Sequence, residues 1–472
     1  MKQFTTMCIV LGMLLSCGGQ TIKSPASVLQ ETGQPSFRHI TAMEMLDEQV
    51  GIADAQYKVL LQRMLWSPGY TNDARHEALR RLYKADKDET IRNIRQQLPR
   101  LENWTWLTAL CEWIADEEIH ELEEALISSW SIPNALFRVE VERPEYLALV
   151  KLVGEDEILD TIFESLVSSN KAWKQGYRTR CWELLHRLAE RERLVDLLSS
   201  EQIASDDSFL LDLKKAMVDF GIVPHRREEI LWIRELAKPE YEDFWNEGIA
   251  TLQELDNERR SDIEMRDLPI AVSLRRHSEP GDLSRTTEEI IREISSKIRN
   301  QKHYYEQEGG GSFDARNELL ATHTHRLTWG DAIAMEIALK ALEVPQVRSH
   351  IFEYADRDYL DKTTEYGGVI ALDKKGRFEI LEFEPEIRHH DRRFNASQEM
   401  FDAAYTALFH FHFHAQERRN GDHAGPGLGD KNYATNTRAN CLVFTFVNKD
   451  SLNVDYYRHH DVVVDLGTIS RN

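Results

Sequence analysis

Cysteine is scarce in this chain, with five residues among 472. Cys8 and Cys17 lie near the amino terminus, and the other three, Cys111, Cys181 and Cys441, lie far apart. Cysteines at such a spacing form neither a disulfide framework nor a zinc-finger motif. The sequence therefore predicts buried thiols, with at most one disulfide among the last three.

An excess of positive charge is also absent. The 58 lysines and arginines are outnumbered by 80 aspartates and glutamates, and the net charge is −22. A surface of that sign repels a phosphate backbone, so it argues against nucleic acid as a partner and against charge-driven binding to a membrane. With 42% hydrophobic and 29% charged residues, the composition is ordinary for a globular protein.

The apolar run near the amino terminus, Met7–Leu15, is too short to span a bilayer. A weakly basic start, Met1–Gln3, precedes it, which is typical of a secretory signal. The run then ends at Leu14-Leu15-Ser16-Cys17, which resembles the bacterial lipobox. That resemblance implies cleavage before Cys17 and lipidation of its thiol. The alternative is a simple cleaved signal in which Cys17 has no role.

The lipobox resemblance implies a location in the cell envelope. Residues 1–16 are then the signal peptide, and residues 17–37, rich in Gly, Gln, Ser, Thr and Pro, form a tether. The protein is expected on the outer side of a bacterial membrane, in the periplasm or at the cell surface. Its lipid anchor is the only expected contact with the membrane.

Proline is sparse between Thr41 and Lys302, and apolar residues recur there at three- and four-residue steps. This periodicity predicts a helical region over residues 38–310. Four segments place a small residue before charged ones, at spacings of 30, 39 and 35 positions: Ala85, Ala115, Gly154 and Ala189. The pattern resembles HEAT-like α-solenoids, which implies a protein partner on this region. A non-repeating helical bundle fits the same spacings.

A flexible stretch, Gly309–Ser312, predicts a domain boundary near Gly310 and a second domain over residues 311–472. This domain is predicted to begin with a helix, Trp329–Leu342, and Thr328 and Asp331 form a capping pair at its amino-terminal end. His323 and His325 lie nearby and offer a metal-binding alternative for Asp331. The capping interpretation is favoured because the Thr-x-x-Asp spacing suits it.

Mixed structure follows, with strands at residues 363–372 and 378–383 around a hairpin turn, then a helix at residues 397–408. The next segment, Phe409–His414, alternates phenylalanine and histidine, so the histidines share one face of a strand. His412 and His414 lie side by side on that face, and their imidazole nitrogens are ligands that zinc binds. Asp430, on a downstream loop, is the candidate third ligand, and Glu365 is the candidate base. Three further strands begin near Cys441, Asn453 and Val462.

This order of residues resembles the JAB/MPN metallopeptidase fold with its JAMM zinc motif. The resemblance covers about Leu327 to the end and implies an α+β domain behind an all-α region. It assigns zinc to His412, His414 and Asp430 and the general acid/base to Glu365. The implied reaction is hydrolysis of a peptide or isopeptide bond in a peptide or protein substrate, with water activated by zinc and a proton passed by the glutamate.

The chain departs from the JAMM pattern at three places. Ala415 replaces a proline, the loop to Asp430 is longer than usual, and Gly427 stands where a serine helps to stabilise the oxyanion. An inactive JAMM-like domain that acts with the helical region as a protein-interaction scaffold is therefore the alternative function. A cupin-like metal site of His410, His412 and Glu417 and a purely structural strand are the other interpretations of the histidine run.

Overall fold

The computed structural model describes residues 22–134, 139–277, 281–304, 318–383, 394 and 396–471. The predicted signal peptide, Cys17 and the Gly309–Ser312 stretch lie outside these residues. The chain divides into two compact units, residues 1–189 and residues 190–472. In the described parts, no helix combines the length and apolar character that crossing a membrane requires.

The described part of the first unit contains helices and no strand. Its α-helices are α1 Pro25–Gln30, α2 Ser36–Gln49, α3 Ala55–Trp66, α4 Asn72–Ala85, α5 Lys87–Gln97, α6 Trp104–Asp116, α7 Glu123–Trp130, α8 Pro144–Val153, α9 Ile158–Ser168 and α10 Gln175–Leu188. Four helices end close to the four small residues that predict turns. Helix α4 ends at Ala85, and α6 ends one residue after Ala115. Helices α8 and α10 end one residue before Gly154 and Ala189. The helical prediction is confirmed, and the HEAT-like repeat stays a prediction.

The predicted tether is wrong for residues 25–37. Helix α1 occupies part of this segment and α2 begins at Ser36. Val28 and Leu29 are buried, and the Tyr70 hydroxyl donates a 2.7 Å hydrogen bond to the Leu29 carbonyl. Two adjacent apolar side chains and a proline at the first helical turn are enough for a short helix when a neighbouring helix covers them.

The second unit adds a further set of helices before and between its strands. They are α11 Arg191–Ser199, α12 Ser208–Phe220, α13 Arg227–Leu236, α14 Glu242–Gln253, α15 Asn257–Asp262, α16 Asp267–His277, α17 Thr287–Ile298, α18 Leu320–His323, α19 Trp329–Glu343, α20 Pro345–Leu360, α21 Gln398–Ala404 and α22 Leu428–Thr437. The fold is therefore an all-α region followed by an α+β region, as the sequence predicts.

The division between the units lies upstream of the boundary predicted near Gly310. Trp232, Trp245 and Ile290 belong to the same buried cluster as Phe411 and Phe444 of the sheet. The helices after residue 190 thus share one core with the sheet. A glycine-rich stretch indicates where a helix or strand is interrupted. The burial of side chains in a shared core decides which helices and strands form one unit.

Six strands form one mixed sheet: β1 Gly367–Leu372, β2 Phe378–Phe383, β3 Phe409–His414, β4 Cys441–Asn448, β5 Ser451–Arg458 and β6 Val462–Ser470. Their order is β2-β1-β3-β4-β5-β6. Strands β3 and β4 run parallel, and the other neighbours run antiparallel. The central position of β3 places its side chains in the middle of both faces.

The alternation predicted for β3 is confirmed. Phe409, Phe411 and Phe413 belong to the main core, where the ring of Phe413 lies 5.4 Å from that of Tyr354 in α20. On the opposite face, α21 packs over β1 and α22 packs over β4 to β6. These two helices leave the histidine side of β3 uncovered between them, and this gap positions the candidate site.

Candidate metal centre

Two adjacent elements supply the predicted zinc ligands. His412 and His414 project from β3, and Asp430 stands at the third residue of α22. The loop predicted for Asp430 is therefore wrong, because Gly427 caps a helix that begins at Leu428. The Gly427 amide donates a 2.8 Å hydrogen bond to Asp430 Oδ2, which fixes the carboxylate in the first turn.

The three side chains have the spacing that a small ion requires. His412 Nε2 lies 3.3 Å from His414 Nε2 and 3.3 Å from Asp430 Oδ1, and His414 Nε2 lies 3.6 Å from Asp430 Oδ2. Tetrahedral zinc with bonds of 2.0–2.1 Å holds its ligand atoms about 3.3–3.4 Å apart. The two imidazole nitrogens have this spacing, and each lies near a different oxygen of Asp430. The donor set of two imidazoles and one carboxylate therefore fits zinc in its chemistry, and its ligand atoms lie within 4.8 Å of one another.

Outer contacts orient both imidazoles. His414 Nδ1 lies 2.9 Å from the His423 carbonyl, so Nδ1 carries the proton and Nε2 is the ligand atom. His412 Nδ1 lies 3.4 Å from the Tyr457 hydroxyl. The carbonyl contact selects the tautomer of His414 that a metal ligand needs, and the hydroxyl contact orients the ring of His412.

The electrostatics of the three groups favour positive charge at their centre. Burial opposes ionisation of Asp430, yet the imidazoles of His412 and His414 hold its pKa far below the ordinary range. Burial also opposes charge on His414, but Asp430 and Glu365 raise the pKa of this imidazole to about 9. The negative charges of Asp430 and Glu365 stabilise a proton on His414. The same charges would stabilise a divalent cation bound between the three side chains.

Glu365 stands two residues before β1 and faces the same centre. Its side chain is almost completely buried and accepts a 3.0 Å hydrogen bond from Gln416 Nε2 at Oε1. Burial raises the pKa of Glu365, and the charge of Asp430 raises it further against the opposing effect of the two imidazoles. A raised pKa makes a carboxyl group a better proton acceptor, which is the property that a general base requires.

A cleft of about 560 Å³ opens beside the ligands. Glu365, His412 and Asp430 line one part of it, and Met400 of α21 and Tyr433 of α22 line its two sides. The cleft lies in the gap between the two helices over β3. Its ligands therefore lie on a surface that a substrate can reach.

Gly427 is the residue at which the JAMM pattern predicts a serine, and glycine provides no hydroxyl there. The residue is extended, with φ −71° and ψ 177°, and its amide already donates to Asp430. That N–H is therefore engaged with the ligand and does not replace the missing serine. A Cβ at this position would lie 3.5 Å from Asp430 Oδ2, which is an ordinary contact, so a side chain fits there.

The structure separates the other candidate ligands from this centre. His410 is buried and its Nδ1 lies 2.8 Å from the Tyr433 hydroxyl, while burial lowers its pKa to about 4. Glu417 is exposed, and neither it nor His410 belongs to the one group of potential metal ligands in the described residues. Asp331 caps α19 with Thr328, as predicted, and pairs with Arg266 and Arg458.

Cys111, Cys181 and Cys441 are buried free thiols, so none of the three is disulfide-bonded. Sequence reasoning missed Gln416, Tyr433 and Tyr457 as neighbours of the site. Tyr433 follows Asp430 by three positions and so shares its helix face, a signal that the predicted loop concealed. The position of Tyr457 depends on the strand order, which no local pattern contains.

No protein-family model, curated protein or solved structure matches this chain.

Proposed function

We propose that the chain is a zinc-dependent peptidase or isopeptidase-like hydrolase with a JAB/MPN-like domain. One observation carries the proposal: His412, His414 and Asp430 offer ligand atoms within 4.8 Å of one another, next to the buried carboxyl group of Glu365. A histidine pair alone is compatible with a structural strand. The added carboxyl group with a raised pKa matches the chemistry of amide hydrolysis.

In the proposed reaction, the metal ligands, Glu365 and the residues that contact them have different roles. Zinc held there would supply a water of lowered pKa and a positive charge beside the substrate carbonyl. Glu365 takes a proton from the attacking water and returns it to the leaving amine nitrogen as the C–N bond breaks. Gln416 holds the Glu365 carboxyl group through Oε1, and His423 and Tyr457 orient the imidazoles.

A metal measurement tests the centre. We expect the purified full chain to retain about one zinc per molecule, and His412→Ala/His414→Ala to lose it. His325→Ala is the matched control, because this exposed histidine lies outside the group. Zinc content that is absent from the unmodified chain, or unchanged in the double variant, contradicts the proposed site.

A peptide-library digest tests the reaction. Glu365→Gln is expected to keep its zinc and to lower the cleavage rate about 10²- to 10⁴-fold, because the proton acceptor is lost. Glu417→Gln, an exposed glutamate on the loop after β3, serves as the control and should cleave normally. Equal rates for the unmodified chain and Glu365→Gln would remove this residue from the mechanism.

A second candidate function is a metal-binding but inactive domain that serves, with the helical region, as a protein-interaction scaffold. The glycine at position 427 favours it, because an oxyanion donor contributes about 10²- to 10³-fold to related reactions. Zinc binding without cleavage of any library peptide would select this function over the hydrolase.

We also propose that Cys17 carries a lipid and anchors the protein on the outer side of a bacterial membrane. The Leu14-Leu15-Ser16-Cys17 run supports this proposal. Cys17→Ser is expected to move the protein from the membrane fraction to the soluble fraction. Membrane retention of that variant would contradict the anchor.

A further inference from the structure

The wall of the cleft that α22 forms carries two free side-chain amides. Asn432 and Asn436 line the cleft together with Gly429 and Tyr433 of the same helix. Both asparagines are exposed, and neither amide makes a hydrogen bond to another described residue. Each amide therefore offers a carbonyl oxygen and two N–H donors to a molecule in the cleft.

The side of the cleft next to α21 is apolar. Its lining residues are Phe394, Ala396, Met400 and Phe401. Met400 is buried, and Phe394 and Ala396 pack in the same apolar cluster over β1. None of these four side chains has a hydrogen-bonding group. Polar recognition away from the metal ligands therefore falls to the asparagines of α22.

The spacing of the two asparagines matches that of an extended peptide. They are four residues apart on α22, which places them on one face of the helix and about 6 Å apart along its axis. Alternate residues of an extended peptide are about 6.6 Å apart and direct their N–H and C=O groups to the same side. Two such residues thus meet one asparagine each.

The cleft has room for several residues of a peptide. Its volume of about 560 Å³ lies within the range of about 300–1,000 Å³ that is usual for ligand pockets. The α22 wall includes the ligand Asp430 as well as Asn432 and Asn436. A peptide held by the asparagines therefore lies in the same cleft as the candidate metal ligands.

We infer that Asn432 and Asn436 bind the main chain of the substrate, which is a peptide segment in an extended conformation. The inference rests on the proposed hydrolase function and specifies its substrate class. Each asparagine accepts a hydrogen bond from a peptide N–H and donates one to a peptide C=O. A helical segment does not fit this site, because its N–H and C=O groups bond to each other.

Peptide binding tests the inference separately from catalysis. The full chain carrying Glu365→Gln is loaded with zinc and titrated with a blocked hexapeptide that alternates alanine and leucine. A second ligand keeps the same side chains but has ester linkages in place of the internal peptide bonds, which removes the N–H donors. We expect this ester analogue to bind about 10- to 30-fold more weakly, because each asparagine loses one hydrogen bond.

Asparagine variants in the same Glu365→Gln chain assign the hydrogen bonds to α22. Asn432→Ala and Asn436→Ala are each expected to weaken hexapeptide binding about 3- to 10-fold, and the double variant about 10- to 100-fold. In the double variant, the ester analogue is expected to bind as well as the hexapeptide, because the peptide N–H groups have lost their partners.

Asn257→Ala is the matched control for these variants. Asn257 is an exposed asparagine of α15 that does not line the cleft, so its replacement should leave the dissociation constant of the hexapeptide unchanged. A melting curve confirms that each variant is folded.

The outcomes distinguish this inference from the proposed function. Hexapeptide binding that depends on both asparagines, without cleavage of any library peptide by the unmodified chain, supports the inference and removes the hydrolase. Library cleavage at an unchanged rate in an Asn432→Ala/Asn436→Ala chain that keeps Glu365 retains the hydrolase and overturns the inference. Equal binding of the hexapeptide and its ester analogue before the asparagines are changed, or failure of the hexapeptide to bind, also overturns it.

Discussion

Gly427 is the residue at which the candidate metal centre departs most from the JAMM pattern on which the proposed hydrolase function is based. Its position at the start of α22 brings Asp430 to the two imidazoles, and its backbone is extended, a conformation that any residue adopts. A side chain at this position would contact only Asp430 Oδ2 at 3.5 Å. The absence of a hydroxyl is thus a property of the sequence and not a demand of the fold.

Restoring the serine is expected to raise activity. Gly427→Ser adds a donor beside the substrate carbonyl, and we expect the hydrolysis rate to rise about 10- to 100-fold. The hydroxyl also caps α22 slightly better than glycine does, by a few tenths of a kcal/mol. Steady-state kinetics on a peptide found in the library digest measures the gain.

Gly427→Ala is the matched control for that prediction. It adds the same Cβ without the hydroxyl, so we expect no gain in rate. If the serine and alanine variants turn over equally, the hydroxyl has no part in the reaction.

At the scale of elements, the two glycines that begin β1 let three strands approach closely. A Cβ at Gly367 would lie 2.6 Å from the Phe411 carbonyl oxygen of β3, and one at Gly368 would collide with the Leu381 carbonyl oxygen of β2. Side chains at these positions would push β1 away from its neighbours. Because Glu365 stands two residues before β1, its place beside the ligands depends on this contact.

Gly368→Ala is therefore expected to destabilise the protein by about 1–3 kcal/mol, because backbone atoms must move to admit the methyl group. Chemical denaturation measures the change in the free energy of unfolding. Gly429→Ala is the control: nothing lies within 4 Å of its Cβ position, and alanine favours the helical backbone of α22. Similar losses of stability in both variants would contradict the steric argument.

At the scale of the whole second unit, a buried ionic network joins the helical segment to the sheet. Asp331 Oδ1 accepts a 3.0 Å hydrogen bond from Arg266, and Asp331 Oδ2 accepts one of 2.7 Å from Arg458 at the end of β5. Arg266 also donates a 2.7 Å hydrogen bond to Asn440, which precedes β4. One carboxylate thus pairs with two guanidinium groups that come from distant parts of the chain, and Arg266 pairs with Glu264 and Asp267 as well.

The stability of this network is expected to depend on acid. Burial opposes the charge of Asp331, but Arg266 and Arg458 lower its pKa to about 2, below its value in an unfolded chain. A lowered pKa contributes stability above about pH 4 that is lost as the pH falls towards 2. Asp331→Asn removes that dependence and, at neutral pH, costs about 3–5 kcal/mol, because the buried Arg458 loses its ion-pair partner and Arg266 keeps only Glu264 and Asp267.

Denaturation curves of the unmodified chain and Asp331→Asn between pH 2 and 7 measure both effects. Asp206→Asn, which changes an exposed carboxylate, is the control and should follow the unmodified curve. A constant difference between Asp331→Asn and the unmodified chain across the whole range would contradict the pKa argument.

Local sequence determined much of the fold, because its signals are periodic and short-ranged. The alternation in Phe409–His414 predicts both faces of β3, and Thr328 with Asp331 predicts the start of α19. The His-x-His pair could be identified as a candidate ligand pair for the same reason, since neighbours on a strand face are fixed by its pleat.

Only the tertiary structure decided what stands around that pair. Strand order places Tyr457 beside His412, and the packing of α13, nearly two hundred residues upstream, brings the Trp232 side chain to the Tyr405 carbonyl. The boundary between the two units lies at residues 189–190 and not near Gly310. The reason is that apolar helices upstream of the glycine-rich stretch pack in the same core as the sheet. The sequence determined which side chains carry the chemistry, whereas long-range packing decided their distances, their burial and the space beside them.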